Sequence, residues 1–327
     1  MSQSKSTSRP LQPMDPRLRD IQPGGGVVIR LEQKWGNVRR WWLKLFRRGW
    51  VQRMESLRQG DFNPCPHDVL DSRDLKFHRN QGGWYWDSAD DPFRWRDRIP
   101  FARVGLAELL VIGGGFTVAG LVFAWAGSVS TGTVQLIAWF ASAVLLVIAG
   151  LIAWFFRDPP REAPAAPGLV ISPADGKIVD IEELDNDDHV GGPAVKIGIF
   201  LSIFNVHINR APVSGRVIGL AYRSGKYLNA LRPESARENE QLAVMIETDD
   251  GHHRGIVVRQ ITGAIARRIV CWLKPGDDLK RGEQFGMIKL GSRTELVLPK
   301  EACLTIHTQL GDRVKAGTSI LADFGTE

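Results

Sequence analysis

FGMIKLGSRTELVLP, residues 285–299, reads as strand, bend, strand. Phe285, Met287 or Ile288, and Leu290 space their apolar side chains as a half-buried strand does, and Leu296–Leu298 supplies a second run. Gly291 and Ser292 fall at the bend, where a glycine beside a small polar residue is ordinary turn chemistry. Outward from this stretch the pattern continues. Val195–Ile203, Val213–Ala221, Ala243–Glu247, Gly255–Ile261 and Leu304–His307 are short apolar runs separated by Gly, Pro, Asn and Asp. They predict a mainly β domain over residues 169–327, barrel- or sandwich-like, with few helices. Within it SPADGKIV, APVSGRVIG and GDRVKAGTSIL each join a turn to a strand, as lipoyl-type hairpins do, without the fixed period of a solenoid.

Upstream the composition changes. Residues 157–168 form a Pro/Ala linker opening on Asp158-Pro159-Pro160, and residues 105–156 contain two apolar segments, Leu109–Ala126 and Val134–Phe156. At about 1.5 Å per residue, roughly 20 residues cross a bilayer core, so the pair predicts a two-helix transmembrane hairpin. Arg94, Arg96, Arg98 and Arg103 precede it, Arg157 and Arg161 follow it, and the loop Gly127–Thr133 is uncharged. This asymmetry predicts that both flanks, and with them the β-domain, lie on the cytoplasmic side of the cell (inner) membrane. Gly113, Gly114, Gly115 and Gly120 suit close helix packing, and Glu108 stands where a carboxylate can reach the headgroup layer. The competing reading is a buried hairpin of a soluble protein.

Basic character collects at the N-terminus. The 327-residue chain carries a formal charge of +6, residues 1–104 hold 20 Lys+Arg against 12 Asp+Glu, and ten of the eleven Trp precede residue 155. Residues 1–26, rich in Ser, Pro, Gln and Gly, read as a disordered tail. Residues 27–104 read as a basic, Trp-rich amphipathic region. Leu31, Trp35, Val38, Trp42 and Leu45 recur at helical spacing there, with Arg39, Arg40, Lys44, Arg47 and Arg48 mostly on other faces. Such a helix suits an anionic membrane surface and equally suits docking on the protein's own domain. Residues 59–104, with Trp84, Tyr85, Trp86, Phe93 and Trp95, show no period. Nucleic acid is not expected as a partner, because composition shows no basic patch on the β-domain. Cys65, Cys271 and Cys303 are an odd, scattered set, which suits a reducing compartment and no disulfide framework. Cys65 and His67 lack a second ligand pair at zinc spacing, so no metal is expected.

Three residues could carry chemistry. Asp175 lies in the turn SPADG, His207 at the end of the apolar run in IFNVHINR, and Ser292 at the bend described above. Singly they are an Asp-Gly turn, a structural histidine and a turn serine, and the order Asp, His, Ser permits a triad without establishing one.

Seven phrases, SPADGKI, FNVHINRAPVSG, GKYLNA, ENEQLAVMIET, QITGAIARRIVCW, GDDLKRGEQFGMIKLGSR and VLP, resemble the phosphatidylserine decarboxylase family in order and spacing. The resemblance runs from about Phe155 to Phe324, and the hairpin before it also resembles the short bacterial members. It implies a proenzyme that cuts itself between Gly291 and Ser292. Ser292 would attack the Gly291 carbonyl, with room left by the absent side chain of Gly291; His207 would be the general base and Asp175 would orient it. The resulting ester would undergo β-elimination, ending a large chain of residues 1–291 in a carboxylate and leaving dehydroalanine at 292. Loss of ammonia would turn that into a covalent pyruvoyl cofactor heading a small chain of residues 292–327, the two chains staying associated. The pyruvoyl carbonyl would take the amine of phosphatidylserine as a Schiff base and accept the electron pair freed with CO2, giving phosphatidylethanolamine. A basic, membrane-bound chain suits an anionic lipid substrate.

Two positions depart from the long-type pattern. Arg293 stands where long-type members have Thr, as in the short bacterial and archaeal type, and Phe204 stands where they have a second His, so no role passes to Phe204. Two other functions compete: the same chemistry on another serine-headgroup lipid, and a non-catalytic membrane adaptor with lipoyl-like hairpins. The adaptor wants a modifiable Lys flanked as in Met-Lys-Met or Asp-Lys-Ala, and Lys177 and Lys315 are not so flanked. The number of copies is left open, a homo-oligomer included.

Overall fold

The structure, a computed structural model, describes residues 8–13, 15, 17–18, 26–56, 92–232, 234–264, 268–289 and 291–325. Leu290, Cys65, His67 and the Trp84–Trp86 cluster lie outside the described residues.

The mainly β expectation holds. Among the described residues fourteen strands form three antiparallel sheets. The largest runs β13 (Arg313–Val314), β2 (Gly176–Asp187), β3 (Gly192–Leu201), β11 (Ser292–Pro299), β7 (Gly255–Thr262), β6 (Gln241–Thr248), β5 (Gly215–Arg223), β9 (Asp278–Leu279). Two three-stranded sheets accompany it: β1 (Leu169–Ile171), β14 (Ile320–Phe324) and β12 (Leu304–Ile306), and β4 (Ile208–Arg210), β10 (Gln284–Lys289) and β8 (Arg268–Cys271). The central strands β6, β7 and β11 are buried almost throughout, which explains why their sequences run apolar instead of strictly alternating. One set of their side chains, including Leu242, Val244, Ile256, Val258 and Leu296, enters the main core. The other set, Ala243, Val257 and Val297, joins Val190 and Ala194 in a second cluster on the opposite face.

The two apolar segments are helices. A turn at Leu106–Glu108 and a wider turn at Leu109–Gly113 lead into α3 (Gly114–Val129), and α4 (Gly132–Phe155) follows. The continuous helical stretches Arg103–Val129 and Gly132–Phe155 are long and apolar enough to cross a membrane. They leave Trp125, Leu136 and Phe140 exposed, unlike the core helices of a soluble protein. Gly120 lets Leu146 of the partner helix approach, since a Cβ there would lie 2.8 Å from it; Gly113 faces Ile152 and Gly127 faces Trp139. Gly114 and Gly115 face open space, so the packing stripe is 113, 120 and 127, one residue per two helical turns.

The base of the hairpin is welded to the β-domain. Ala102, Phe155 and Phe156 share a buried cluster with Val206, Ile208, Val270 and Met287. Glu108 does not reach outward to headgroups; it is 4% exposed and pairs with Lys289 at the end of β10. The amphipathic stretch becomes α1 (Gly26–Phe46) and α2 (Arg48–Ser56). Glu32 of α1 pairs with Arg268 (2.9 Å) and with Lys289, so this helix is docked on the protein's own strands. Burial raises the Glu32 pKa, but the two cations outweigh it and hold the carboxyl down at about 2. The apolar residues Val38, Trp41, Leu45 and Phe46 remain exposed on α1. Within the stretch read as a tail, the described residues make ordered contacts: Gln12 N–H donates to the Ile218 carbonyl (2.9 Å), Asp15 accepts from Tyr222 N–H (2.8 Å), and Leu18 enters the main core. Sequence composition misses such contacts because a single charged or apolar residue in a polar stretch suffices to make each one.

Candidate active site

Strand order brings four chain segments to one end of the large sheet. β11 begins at Ser292, which pairs with Leu201, the last residue of β3, and with Thr262, the last residue of β7. β2 begins at Gly176, immediately after Asp175. The loop leaving β3 carries His207, and the residue after β7 is Gly263. β10 and β11 belong to different sheets, so the chain bends between them as expected, and this bend is a transfer between sheets.

Gly291 has a φ of +65°, a backbone conformation that favours glycine. A Cβ there would meet nothing within 4 Å. The backbone shape by itself favours glycine at this position. Gly263 is the residue for which space is tight: a Cβ on it would run into the carbonyl oxygen of Gly291. That carbonyl belongs to the Gly291–Ser292 peptide bond. Gly263 lies in the phrase QITGAIARRIVCW, yet nothing local in the sequence distinguishes it from a strand-ending glycine.

Ser292 is fully buried, and its Oγ is among the buried polar atoms with no hydrogen-bond partner. Leaving a buried hydroxyl unsatisfied costs about 1–3 kcal/mol, so the position is tolerated where the hydroxyl has another use. His207 is also fully buried. Its Nδ1 lies 2.9 Å from the Asn205 carbonyl, which can only accept, so Nδ1 carries the proton. Nε2 is then a lone pair, and it accepts the Gly291 N–H at 3.3 Å. Burial pushes the His207 pKa down to about 4, Arg157 adding to the effect and Asp175 and the Asn205 bond opposing it. The ring is neutral at pH 7 and basic at the nitrogen that faces the Gly291 amide. It stacks at 4.4 Å on Phe155, the last residue of α4.

Asp175 is not hydrogen-bonded to His207. Its Oδ1 accepts from Ala316 N–H (2.8 Å) and Arg161 (2.5 Å), and its Oδ2 from Arg161 (2.9 Å), a two-pronged buried pair. The Asp175 charge can reach His207 only through space, where it opposes the effect of burial, and the tautomer is set by the Asn205 carbonyl. Arg161 comes from the Pro/Ala linker, where the sequence reading gave it only a part in membrane orientation. Sequence reasoning also missed Asn209 and Gln260. Asn209 Nδ2 donates to Thr294 Oγ1 (3.1 Å) and to the Pro173 carbonyl, and Gln260 Nε2 donates to Asn209 Oδ1 (2.9 Å). This buried network ties β4, β7 and β11 together behind the bend and rigidifies it. A signal existed in HINR and QITG: polar side chains placed inside otherwise apolar strands.

Residues 148–322 match the family model described as phosphatidylserine decarboxylase. A phosphatidylserine decarboxylase proenzyme of Rhodopirellula baltica is 51% identical over 251 residues, covering 76% of this chain and 99% of that protein. The proenzyme of Syntrophus aciditrophicus is 44% identical over 183 residues, covering 56% of this chain and 84% of that one. The proenzyme of Nitrosomonas eutropha is 40% identical over 213 residues, covering 65% and 91%.

Proposed function

The chain belongs to the phosphatidylserine decarboxylase family, and from that premise we propose that it is a self-processing enzyme converting phosphatidylserine to phosphatidylethanolamine and CO2 at a membrane surface. The observation that carries this reading is the bend itself: a buried, unpartnered Ser292 hydroxyl next to a left-handed Gly291 whose amide faces the lone pair of a neutral His207.

In this reading His207 Nε2 gives up the Gly291 N–H and takes the proton of Ser292 Oγ as that hydroxyl turns toward it, and the oxygen attacks the Gly291 carbonyl. Nitrogen leaves as the amine of residue 292, and an ester replaces the amide. Removal of the Ser292 α-proton then expels the Gly291 carboxylate and leaves dehydroalanine at 292, which tautomerises to an imine, takes up water and releases ammonia. Asp175, fixed by Arg161, favours the protonated imidazole formed in the first step. Gly263 leaves the Gly291 carbonyl free to become tetrahedral. Residues 1–291 and 292–327 stay joined, because β11 is hydrogen-bonded to β3 and β7 along most of its length. The pyruvoyl group so formed from Ser292 supplies the electron sink that decarboxylation needs. The two apolar helices hold this site beside a bilayer, with the catalytic domain on the cytoplasmic side.

Intact-mass measurement of the purified chain tests the reading. Two chains are expected, the smaller beginning at residue 292 without a free amine, and CO2 should be released from carboxyl-labelled phosphatidylserine; Ser292→Ala should remain one chain. An active wild-type protein that stays uncut would overturn the mechanism.

A further inference from the structure

Where α4 ends, its last residues face two ways. Phe155 turns inward onto His207, while Trp154 is exposed. Arg157 folds back so that its guanidinium lies 4.1 Å from the Trp154 ring. It donates to the Trp154 carbonyl (2.7 Å) and to the Phe204 carbonyl (2.9 Å), and the Trp154 indole also donates to the Phe204 carbonyl (3.3 Å). The next carbonyl along, that of Asn205, holds His207. One short loop therefore fixes an arginine and the proposed base on consecutive residues. The side chains of the same loop that face outward are apolar: Ile203 is 46% exposed and Phe204 59%.

The charges around this loop do not cancel. Arg161 pairs with Asp175, and Arg210 with Asp158 (3.0 Å). Arg157 is the third cation, and among the described residues no carboxylate pairs with it; its partners are neutral carbonyls and a ring face. Arginine held over an aromatic ring with N–H groups left over is preorganised for a phosphate. The setting narrows the choice further. Trp and Arg at the foot of an apolar span lie at headgroup depth, and Ile203 and Phe204 beside them suit the apolar layer just beneath.

We propose that Arg157 binds the phosphodiester of the lipid whose headgroup enters the site, with Ile203 and Phe204 seated in the bilayer beside it. This rests on the decarboxylase reading and assigns what holds the substrate's phosphate while its amine reaches position 292. It also gives Phe204 a use of its own: an apolar contact with the bilayer.

The test uses full-length matured protein in neutral detergent micelles, so that the substrate's phosphate is the only one present. Steady-state rates are measured with short-chain phosphatidylserine, and inhibition with O-dodecylserine, which keeps the amine and carboxylate but lacks the phosphate. In Arg157→Gln, KM for phosphatidylserine should rise at least tenfold while inhibition by O-dodecylserine moves far less; Arg157→Lys, checked for maturation by the appearance of the small chain, should recover part of the loss. An unchanged KM, or equal losses with both compounds, overturns the assignment. A KM change that appears only after phosphatidylglycerol is added assigns Arg157 to a neighbouring bilayer lipid and also overturns it. Wild-type protein that releases no CO2 from phosphatidylserine defeats the decarboxylase reading itself, a result visible before any variant is compared.

Discussion

The two edges of the large sheet are built from the same device, and only one of them belongs to the site. At one edge SPADG leads into β2, which pairs with β13; at the other APVSG leads into β5, which pairs with β9. The hydrogen bonds correspond one for one. Ile171 N–H donates to the Pro212 carbonyl and Arg210 N–H to the Pro173 carbonyl, a reciprocal exchange between the two turns. Gly317 N–H donates to Ser172 as Gly282 N–H does to Ala211, and Gly311 N–H to Ile178 as Gly276 N–H does to Val217. The side chain before each entry glycine accepts an equivalent backbone N–H: Asp175 from Ala316, Ser214 from Arg281. The serine stops there. The aspartate adds a second oxygen and a charge, gathers Arg161, and is felt by His207. The duplicated frame is thus a structural support, and the proposed function draws on the position where one copy carries a carboxylate, Asp175, and the other a hydroxyl, Ser214.

The largest effect should come from breaking that difference. Asp175→Ala leaves Arg161 buried without its partner, a loss of about 3–5 kcal/mol, whereas Ser214→Ala removes one hydrogen bond worth about 1 kcal/mol. Urea unfolding in a Ser292→Ala background measures both without interference from cleavage. In the Ser292 chain, Asp175→Ala should slow appearance of the small chain at least tenfold, and Ser214→Ala should leave it near wild type. Equal losses at the two positions would mean that the carboxylate adds nothing to the shared frame.

The two copies also show what a sequence discloses and what it does not. SPADGKIV and APVSGRVIG are recognisable as kin because their turns and strands are local, set by Pro, Gly and the following β-branched run. The β character of residues 169–327 and the two apolar helices are legible on the same grounds, and the seven phrases single out the proposed trio Asp175, His207 and Ser292. What was not legible is who meets whom. Arg161 finds Asp175 from a linker, Glu32 and Glu108 converge on Lys289 from two distant helices, and Gly263 stands against the Gly291 carbonyl across a strand junction. Each pairing depends on the tertiary path, and no periodicity encodes it.

A substitution at the shared glycines sharpens the likeness. A Cβ on Gly176 would run into the Phe200 carbonyl oxygen and one on Gly215 into the Glu247 carbonyl oxygen. Gly176→Ala and Gly215→Ala should therefore destabilise the fold alike, by about 1–3 kcal/mol each, the usual range for forcing extra atoms into packed structure. Thermal unfolding of the uncleaved Ser292→Ala form compares them directly. Only Gly176→Ala should slow maturation as well, since it disturbs the turn that carries Asp175. A large gap between the two stabilities would break the equivalence of the edges.

The finest test is the pH at which the base is lost. His207 is held at about 4, mostly by burial, so self-cleavage should be flat from neutrality downward and should fall to half near that value as Nε2 takes up a proton. The negative charge of Asp175 favours the protonated ring and so holds this midpoint up. Asp175→Asn keeps the shape and removes the charge, and the midpoint should move to lower pH. Ser214→Ala, the matching change at the neutral edge, should leave the midpoint where it is. Following small-chain formation against pH in the three proteins decides between the two roles open to Asp175. A downward shift confined to Asp175→Asn marks a carboxylate acting on the base through space, whereas slower cleavage with an unmoved midpoint marks a residue that only braces the turn.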